Sequence, residues 1–291
     1  MASKRERERQ LARKAYERRM QRRSDRARRE RQWAAAIIVA VLVIGVGLGA
    51  TAIAKVFPFS PGHSPAAAAA VSPPAASPTP SAPATPTAAA AMVNGKCIYT
   101  KSGTAARKVS LPPATPDTKA HYTATIATNR GTIVVKLANS GAPCTVNSFV
   151  SLAAQKYFNN TPCHRLTTAG IFVLQCGDPT GTGTGGPGYD FSTENLKSLA
   201  PVKVSGTTQG LYPAGMVAMA NSGSPDSNGS QFFFVYKNTD LPPSYTPFGT
   251  IASGLNIIQN VAKAGSTNSN GAGDGAPKEK VQIIRVTISK T

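Results

Sequence analysis

Apolar and polar residues alternate along the chain from about residue 120, which is the pattern of half-buried β-strands. The segment Tyr122–Thr128 alternates in this way and is followed by Asn129-Arg130-Gly131, a sequence suited to a tight turn. A second apolar segment, residues 132–137, comes directly afterwards. These residues predict a β-hairpin. Residues 143–157 then place apolar side chains at helical spacing behind Pro143, which predicts a helix.

Further short apolar segments are separated by glycine-rich loops and predict additional strands. They are residues 163–167, 171–176, 216–220, 231–236, 248–251 and 281–289. Residues 255–262 predict a second helix. Many short strands with two helices indicate a mainly β fold, a closed antiparallel barrel with helices over its ends.

One apolar segment is of a different kind. Residues 34–54 form a run of 21 residues without a charge, and such a helix would be about 30 Å long, the thickness of a bilayer core. We predict a single uncleaved transmembrane helix here. The alternative is cleavage after Ala54, because Ala52-Ile53-Ala54 is similar to a signal-peptidase site.

Charge predicts how this helix is oriented. The net charge is +19, and residues 1–33 carry 14 of the 32 Lys and Arg residues. Basic flanks stay in the cytoplasm, so we predict a cytoplasmic arm over 1–33 and an extracytoplasmic location for everything beyond the helix. The arm's charge is explained by topology and attraction to anionic lipid. Nucleic-acid binding is the disfavoured alternative, and no nucleic-acid partner is expected.

Composition divides the rest of the chain. Residues 55–91 are dominated by Pro, Ala, Ser and Thr, and such a tract cannot bury enough apolar surface to fold, so we predict a disordered linker. Residues 92–119 are interpreted as a transitional extension, and residues 120–291 as the folded domain.

A series of motifs runs through this domain in a fixed order. They are CHR at 163–165, FVLQCGD at 172–178, GTGTGG at 181–186, GMVAMAN at 215–221, NGSQFFF at 228–234 and FG at 248–249. Their order and spacing resemble the cyclophilin family of peptidyl-prolyl cis-trans isomerases over about residues 120–290. The resemblance implies an eight-stranded antiparallel barrel capped by two helices, and catalysis of rotation about the bond that precedes proline.

The resemblance also implies roles for individual residues. Arg165 matches the catalytic arginine, whose guanidinium donates towards the prolyl nitrogen as that nitrogen pyramidalises. A salt-bridged surface arginine is the alternative. Substrate-binding positions are matched by Phe172, Val173, Gln175, Ala220, Asn221, Gln231, Phe233, Leu241 and Tyr245. The sequence departs from the common family pattern at Val173 (usually Met), Asp240 (often Trp) and Tyr245 (often His).

Four cysteines on the extracytoplasmic side could form two disulfides. Cys163 and Cys176 would face each other across a symmetric hairpin, which would leave Cys97 with Cys144. Three pairings are possible, and four buried free thiols are a further alternative. Because His, Cys and acidic residues show no metal-ligand spacing, we expect no metal and no cofactor.

The sequence therefore predicts a membrane-anchored isomerase at the cell membrane. It would act as a monomer on proline-containing polypeptide segments and assist the folding of exported proteins. The alternative is a non-catalytic module that binds such segments without turnover.

Overall fold

The computed structural model describes residues 91–291, which contain mainly β-strands with two α-helices and a short 3-10 helix, Leu196–Ser198. The first nine strands are β1 (Met92–Val93), β2 (Lys96–Cys97), β3 (Thr100–Lys101), β4 (Tyr122–Thr128), β5 (Gly131–Leu137), β6 (Thr161–Pro162), β7 (Arg165–Thr167), β8 (Val173–Cys176) and β9 (Tyr189–Asp190). The remaining strands are β10 (Ala200–Val204), β11 (Thr207–Tyr212), β12 (Met216–Met219), β13 (Phe232–Val235), β14 (Thr239–Leu241), β15 (Pro247–Ser253), β16 (Asp274–Gly275) and β17 (Gln282–Lys290). The helices are α1 (Pro143–Ala154) and α2 (Leu255–Ala264).

The hairpin predicted from alternation is present as β4 and β5, which pair antiparallel with Ile126 opposite Ile133. Alternate residues of both strands are buried, as half-buried strands require. The pattern therefore predicted both the pairing and the buried face.

The largest sheet is a curled antiparallel sheet of ten strands in the order β16-β7-β8-β13-β12-β15-β5-β4-β17-β6. Its two terminal strands, β6 and β16, contain only two residues each. The predicted mainly β architecture with two helices is confirmed at the level of a curled sheet. The sheet contains ten hydrogen-bonded strands, whereas the sequence analysis predicted eight.

Both helices begin where the sequence predicts and end elsewhere. Helix α1 starts at Pro143 but stops at Ala154, three residues before the predicted end. Lys156 adopts a left-handed conformation with φ of 58°, and the Tyr157 N–H turns back to the Leu152 carbonyl at 2.9 Å. This closing turn ends the helix. Helix α2 continues two residues beyond its predicted end.

A second, three-stranded sheet was missed by the sequence analysis. It has the order β10-β11-β14 and joins a protruding hairpin to the strand that ends at Leu241. Strand β10 is exposed or half-buried at every position and contains Pro201, so it lacks the buried face on which prediction from the sequence depends.

Residues 91–119 pack onto the sheet domain rather than standing apart from it. A disulfide joins Cys97 to Cys144 in α1, and the Tyr99 hydroxyl donates to the Cys144 carbonyl at 2.8 Å. Arg107 donates to the carbonyls of Tyr157 and Asn159 just beyond the same helix. The extension is therefore fastened near both ends of α1.

The predicted arm over 1–33 and the predicted transmembrane helix over 34–54 lie outside the described residues. The predicted linker over 55–91 does too, apart from residue 91. Over residues 91–291, no helix has the length and apolar character needed to cross a membrane.

The core consists of two clusters that share strands β8 and β13. The large cluster contains Leu174, Cys176, Phe232 and Phe234 together with buried residues of α1, α2 and most other strands of the curled sheet. The small cluster is formed by Val173, Leu199, Tyr212, Ala218, Phe233, Val235 and Leu241. Successive residues of a strand point to opposite faces, so one strand can serve both clusters.

Candidate active site

Strand pairing brings Arg165 and Gln175 together. In the β7–β8 pair these two residues stand opposite each other, and Arg165 Nη1 lies 3.4 Å from Gln175 Oε1. In the β8–β13 pair Gln175 stands opposite Phe233. The register of three strands thus places a cation, an amide and an aromatic ring in one row.

The polar row continues to a glycine-rich loop. Gln175 Nε2 donates to Gln231 Oε1 at 2.8 Å, and Gln231 Nε2 donates to the carbonyls of Gly183 and Gly185 at 3.1 and 3.0 Å. These contacts fix the orientation of both amides. They leave the row Arg165–Gln175–Gln231 along one edge of the small cluster.

A buried carboxylate organises the glycine-rich loop. Asp178 is fully buried and accepts hydrogen bonds from the backbone N–H groups of Thr180, Gly183 and Gly185 at 2.8, 2.7 and 3.1 Å. Burial raises the pKa of Asp178, but hydrogen bonds from the Thr180 hydroxyl and from these N–H groups outweigh it and hold the pKa below the usual range. The loop therefore wraps around the Asp178 carboxylate, and the Gln231 amide is hydrogen-bonded to the carbonyls of Gly183 and Gly185 in the same loop.

The apolar part of the site is the small cluster. Val173, Phe233 and Leu241 belong to it, and Ala220 and Tyr245 pack against it as half-buried residues. The Tyr245 ring meets the Phe233 ring edge-on, with ring centroids 5.6 Å apart. Five of the nine substrate-binding residues predicted from the sequence therefore meet here.

Phe172 is placed differently from the other predicted apolar residues. It packs against the large cluster, with its ring 6.0 Å from that of Tyr236 and the Lys237 ammonium 4.4 Å from its centroid. Ile171, which the sequence analysis did not select, packs against the small cluster instead. The structure does not bring Phe172 together with Val173 and Phe233 in that cluster.

Asn221 connects two loops beside the small cluster through its side-chain hydrogen bonds. Its Nδ2 donates to the Ser244 carbonyl at 2.8 Å, and its Oδ1 accepts from the Gly223 N–H at 3.0 Å. This places Asn221 between the β12–β13 connection and the loop that carries Tyr245. Asp240, the residue that replaces a common Trp, is exposed in β14 opposite Leu211.

The sequence analysis missed one charged residue at the site. Asp274 accepts from Arg165 Nε at 2.9 Å and from Arg165 Nη2 at 2.7 Å, a bidentate ion pair in which the Arg165 side chain is 35% exposed. Hydrogen bonding to Asp274 raises the pKa of Arg165, and the same contact lowers the pKa of Asp274. Both groups are therefore charged at neutral pH.

The disulfides of the structure join Cys97 to Cys144 and Cys163 to Cys176, the two pairs favoured in the sequence analysis. Cys163 precedes Arg165 by two residues, and Cys176 directly follows Gln175. The second bond therefore fastens together the two segments that hold the Arg165–Gln175 pair.

Chemically, the site presents a fixed cation and two amides beside an apolar surface. Among residues 91–291 there is no group of three or more His, Cys, Asp or Glu side chains arranged to hold a metal ion. Such a site can bind an apolar ring, grip the adjoining peptide groups and donate hydrogen bonds from a permanent positive charge.

Comparison with known proteins identifies the relatives of this chain. A family model described as cyclophilin type peptidyl-prolyl cis-trans isomerase matches residues 123–288. The chain is 49% identical to the probable peptidyl-prolyl cis-trans isomerase B of Mycobacterium leprae over 193 residues, which is 64% of each chain. It is 46% identical to the protein of that name from Mycobacterium tuberculosis over 206 residues, 68% of this chain and 65% of that one.

The chain thus spans just under two thirds of the length of these curated relatives. A crystal structure of a Cryptosporidium parvum cyclophilin type isomerase with the dipeptide Ala-Pro is 30% identical, with a TM-score of 0.47 over 58% of this chain and 99% of that one. The family model covers more than half of the sequence and includes every residue of the row Arg165–Gln175–Gln231. This chain belongs to the cyclophilin-type peptidyl-prolyl cis-trans isomerase family.

Proposed function

We propose that this chain catalyses cis-trans isomerisation of the peptide bond that precedes proline. Amide resonance opposes this rotation with a barrier of about 18–20 kcal/mol. No covalent bond is broken, so catalysis requires no nucleophile. It requires a hydrogen-bond donor for the prolyl nitrogen, an apolar pocket for the proline ring and hydrogen bonds to the flanking peptide backbone.

Arg165 is the donor in this proposal. As the bond twists, the prolyl nitrogen pyramidalises and its lone pair becomes a hydrogen-bond acceptor. A guanidinium N–H aimed at that lone pair stabilises the twisted state more than the planar states, which lowers the barrier. The observation that carries the proposal is the position of Arg165, half-buried and opposite Gln175 at the edge of the small cluster.

The pocket and the backbone grip are assigned to the neighbouring residues. Val173, Phe233 and Leu241 supply apolar walls for the proline ring. Gln175 and Gln231 supply amides that can bind the peptide groups on either side of it, and both amides are already oriented. Oriented groups lose little freedom when the substrate binds.

The test is a peptide isomerisation assay on the wild type, Arg165→Ala and Arg165→Lys. We expect Arg165→Ala to lower kcat/KM by about 10²- to 10³-fold, as loss of a single preorganised transition-state donor does. Arg165→Lys keeps the charge without the planar fork and should fall between the two. Melting temperatures provide the folding control.

Two outcomes would contradict the proposal. Near-wild-type turnover in Arg165→Ala would show that another group supplies the donor. A wild type that binds a proline peptide in titration but does not accelerate its isomerisation would favour the non-catalytic binding module.

We propose further that the domain works outside the cytoplasm, held at the cell membrane by residues 34–54, and assists the folding of exported proteins. Two disulfides support this location, because such bonds persist in oxidising compartments. Protease added to intact, wall-stripped cells should remove residues 91–291. Protection until the cells are lysed would reverse the orientation.

Two finer structural proposals accompany this function. Strand β6 pairs with β17 while β7 pairs with β8, so residues 161–167 link both ends of the curled sheet and support its closure into a barrel. Large exposed apolar side chains between residues 91 and 291 are few, which supports a monomer; they are Val93, Ile98, Leu111, Val204 and Ile284. Sedimentation of the protein at increasing concentration would expose a dimer.

A further inference from the structure

The side of Arg165 that faces away from Gln175 is occupied by Asp274. A guanidinium carries five N–H donors, and the carboxylate takes the Nε donor and one Nη2 donor in a bidentate grip. Gln175 lies beside Nη1. The side-on grip leaves donors of Nη1 and Nη2 at the tip of the side chain, and it suppresses rotation of the guanidinium plane.

Asp274 is itself held firmly against the strand that carries Arg165. Its short strand β16 pairs with β7, with Asp274 opposite Thr167, and the Thr168 N–H donates to the Gly273 carbonyl at 2.7 Å. Asn270 Nδ2 donates to Asp274 Oδ1 at 3.2 Å. The carboxylate therefore has a fixed position relative to the backbone of Arg165.

Close packing around the neighbouring glycines keeps this loop in place. A Cβ on Gly273 would lie 2.6 Å from the Ala169 Cβ, and one on Gly275 would lie 2.6 Å from Thr267 Oγ1 and 2.7 Å from the Ser269 N. Gly273 also has φ of 74°, a region that other residues rarely adopt. The loop touches the segment after β7 on one side and its own turn on the other.

Stability alone is a weak explanation for such an arrangement. The side chains of Arg165 and Asp274 are 35% and 27% exposed, and water screens ion pairs of this kind so that they contribute little to folding. The bidentate geometry instead controls the direction in which the Arg165 guanidinium points. It holds the planar fork of Arg165 in a single orientation at the edge of the small cluster.

We propose that Asp274 is a positioning residue for prolyl isomerisation, which orients the Arg165 guanidinium so that its free donors face the prolyl nitrogen. The inference rests on the proposed role of Arg165 as the donor. Asp274 touches no substrate in this proposal and acts only through Arg165.

The experiment is a double-mutant cycle on the full chain with Asp274→Asn, Arg165→Ala and the double variant. We expect Asp274→Asn to lower kcat by about 10- to 100-fold, the scale of a misplaced catalytic group, while the Kd for a proline peptide changes less than about twofold. In the Arg165→Ala background the same substitution should change kcat/KM by less than about twofold, because its target is gone.

A matched control removes a carboxylate that pairs with a different cation. Asp117 forms a 2.9 Å ion pair with Lys290 and has no contact with Arg165. Asp117→Asn should leave kcat and peptide affinity unchanged, which separates a local effect on Arg165 from a general effect of charge.

The outcomes distinguish this inference from the function on which it rests. If Arg165→Ala is inactive but Asp274→Asn retains near-wild-type kcat, the positioning role is wrong and the donor assignment stands. If Arg165→Ala retains activity, the donor assignment itself fails. An equal loss from Asp274→Asn in both backgrounds would show that Asp274 acts elsewhere, which also overturns the inference.

A measurement on the wild type covers the case in which Asp274→Asn does not fold. Nuclear magnetic resonance should resolve the Arg165 Nε–H at neutral pH as a slowly exchanging signal, distinct from exposed arginines. An Arg165 Nε–H that exchanges with water as fast as those of exposed arginines would mean that Asp274 does not hold the guanidinium, and the inference would fall.

Discussion

The two faces of strands β8 and β13 belong to different parts of the molecule. On one face, Leu174, Phe232 and Phe234 are closed within the large cluster. On the other face, Val173 and Phe233 line the small cluster, with Gln175 and Gln231 beside them. The same two strands therefore supply packing on one side and the surface of the proposed active site on the other.

This difference makes function depend on register. Side chains alternate with a period of two, so a shift of one residue in either strand would exchange its two faces. The observed register sets Phe233 opposite Gln175 and Phe232 opposite Cys176. The face on which each of these residues falls therefore decides whether it serves packing or the proposed active site.

The sharpest test of the comparison uses two adjacent phenylalanines. Phe232 is fully buried and contacts the rings of Phe149, Phe158 and Phe234. Phe232→Ala should lower the free energy of unfolding by about 3–5 kcal/mol, the usual cost of such a cavity. Its kcat/KM per folded molecule should stay near that of the wild type. Denaturant titration and the isomerisation assay measure the two quantities.

Phe233→Ala is the matched substitution on the opposite face. We expect it to lower kcat/KM per folded molecule by at least about tenfold, because one wall of the proposed proline pocket is lost. If both variants lost the same activity per folded molecule, the separation between the faces would be wrong.

The two disulfides provide the next test. They show whether a bond on the large-cluster side of β8 affects the active-site residues on the opposite side. The chain-entropy model gives about 4 kcal/mol for the Cys97–Cys144 loop, with a sequence separation of 47, and about 3 kcal/mol for the Cys163–Cys176 loop, with a separation of 13. Cys97→Ala with Cys144→Ala should therefore cost more stability, with unchanged kcat/KM. Cys163→Ala with Cys176→Ala should cost less stability and also lower kcat/KM, because it frees the segments that hold Arg165 and Gln175. Unchanged activity in the second variant would show that strand pairing alone fixes these residues.

The smallest expected effect concerns pH. His164 precedes Arg165, and neither of its ring nitrogens has a hydrogen-bond partner in the protein. Burial lowers the pKa of His164. The unfolded chain therefore takes up the proton first, so stability is complete above about pH 6.5 and falls as the pH drops through that value, by at most about 1.4 kcal/mol per pH unit.

The measurement is the free energy of unfolding between pH 5 and 8 for the wild type and His164→Gln. The variant should lose the part of the slope that lies below about pH 6.5. A wild-type profile that is flat across this range would show that burial does not disfavour the charged ring.

Alternation was sufficient to predict the elements in which one face is buried. The β4–β5 hairpin follows from it, since apolar residues recur there with the period of a strand. The end of α1 did not follow, because the left-handed position is occupied by Lys156 rather than by the glycine that signals a helix end.

Asp274 could not be found from the sequence for a different reason. It lies 109 residues beyond Arg165, in a loop rich in Gly, Asn and Ser that has no periodic pattern. Only the folded chain brings that loop beside β7. Local patterns predict elements and their buried faces, whereas contacts between a loop and a distant strand depend on the complete topology.

The attachment of residues 91–119 to α1 also has a mechanical consequence. Tension that enters the domain from its N-terminal side reaches the Cys97–Cys144 bond before it reaches β4, the first strand of the curled sheet. A covalent bond transmits this load directly into α1. The β4–β5 hairpin lies between the two cysteines in the chain, so a pull carried by the bond bypasses the backbone of these two strands.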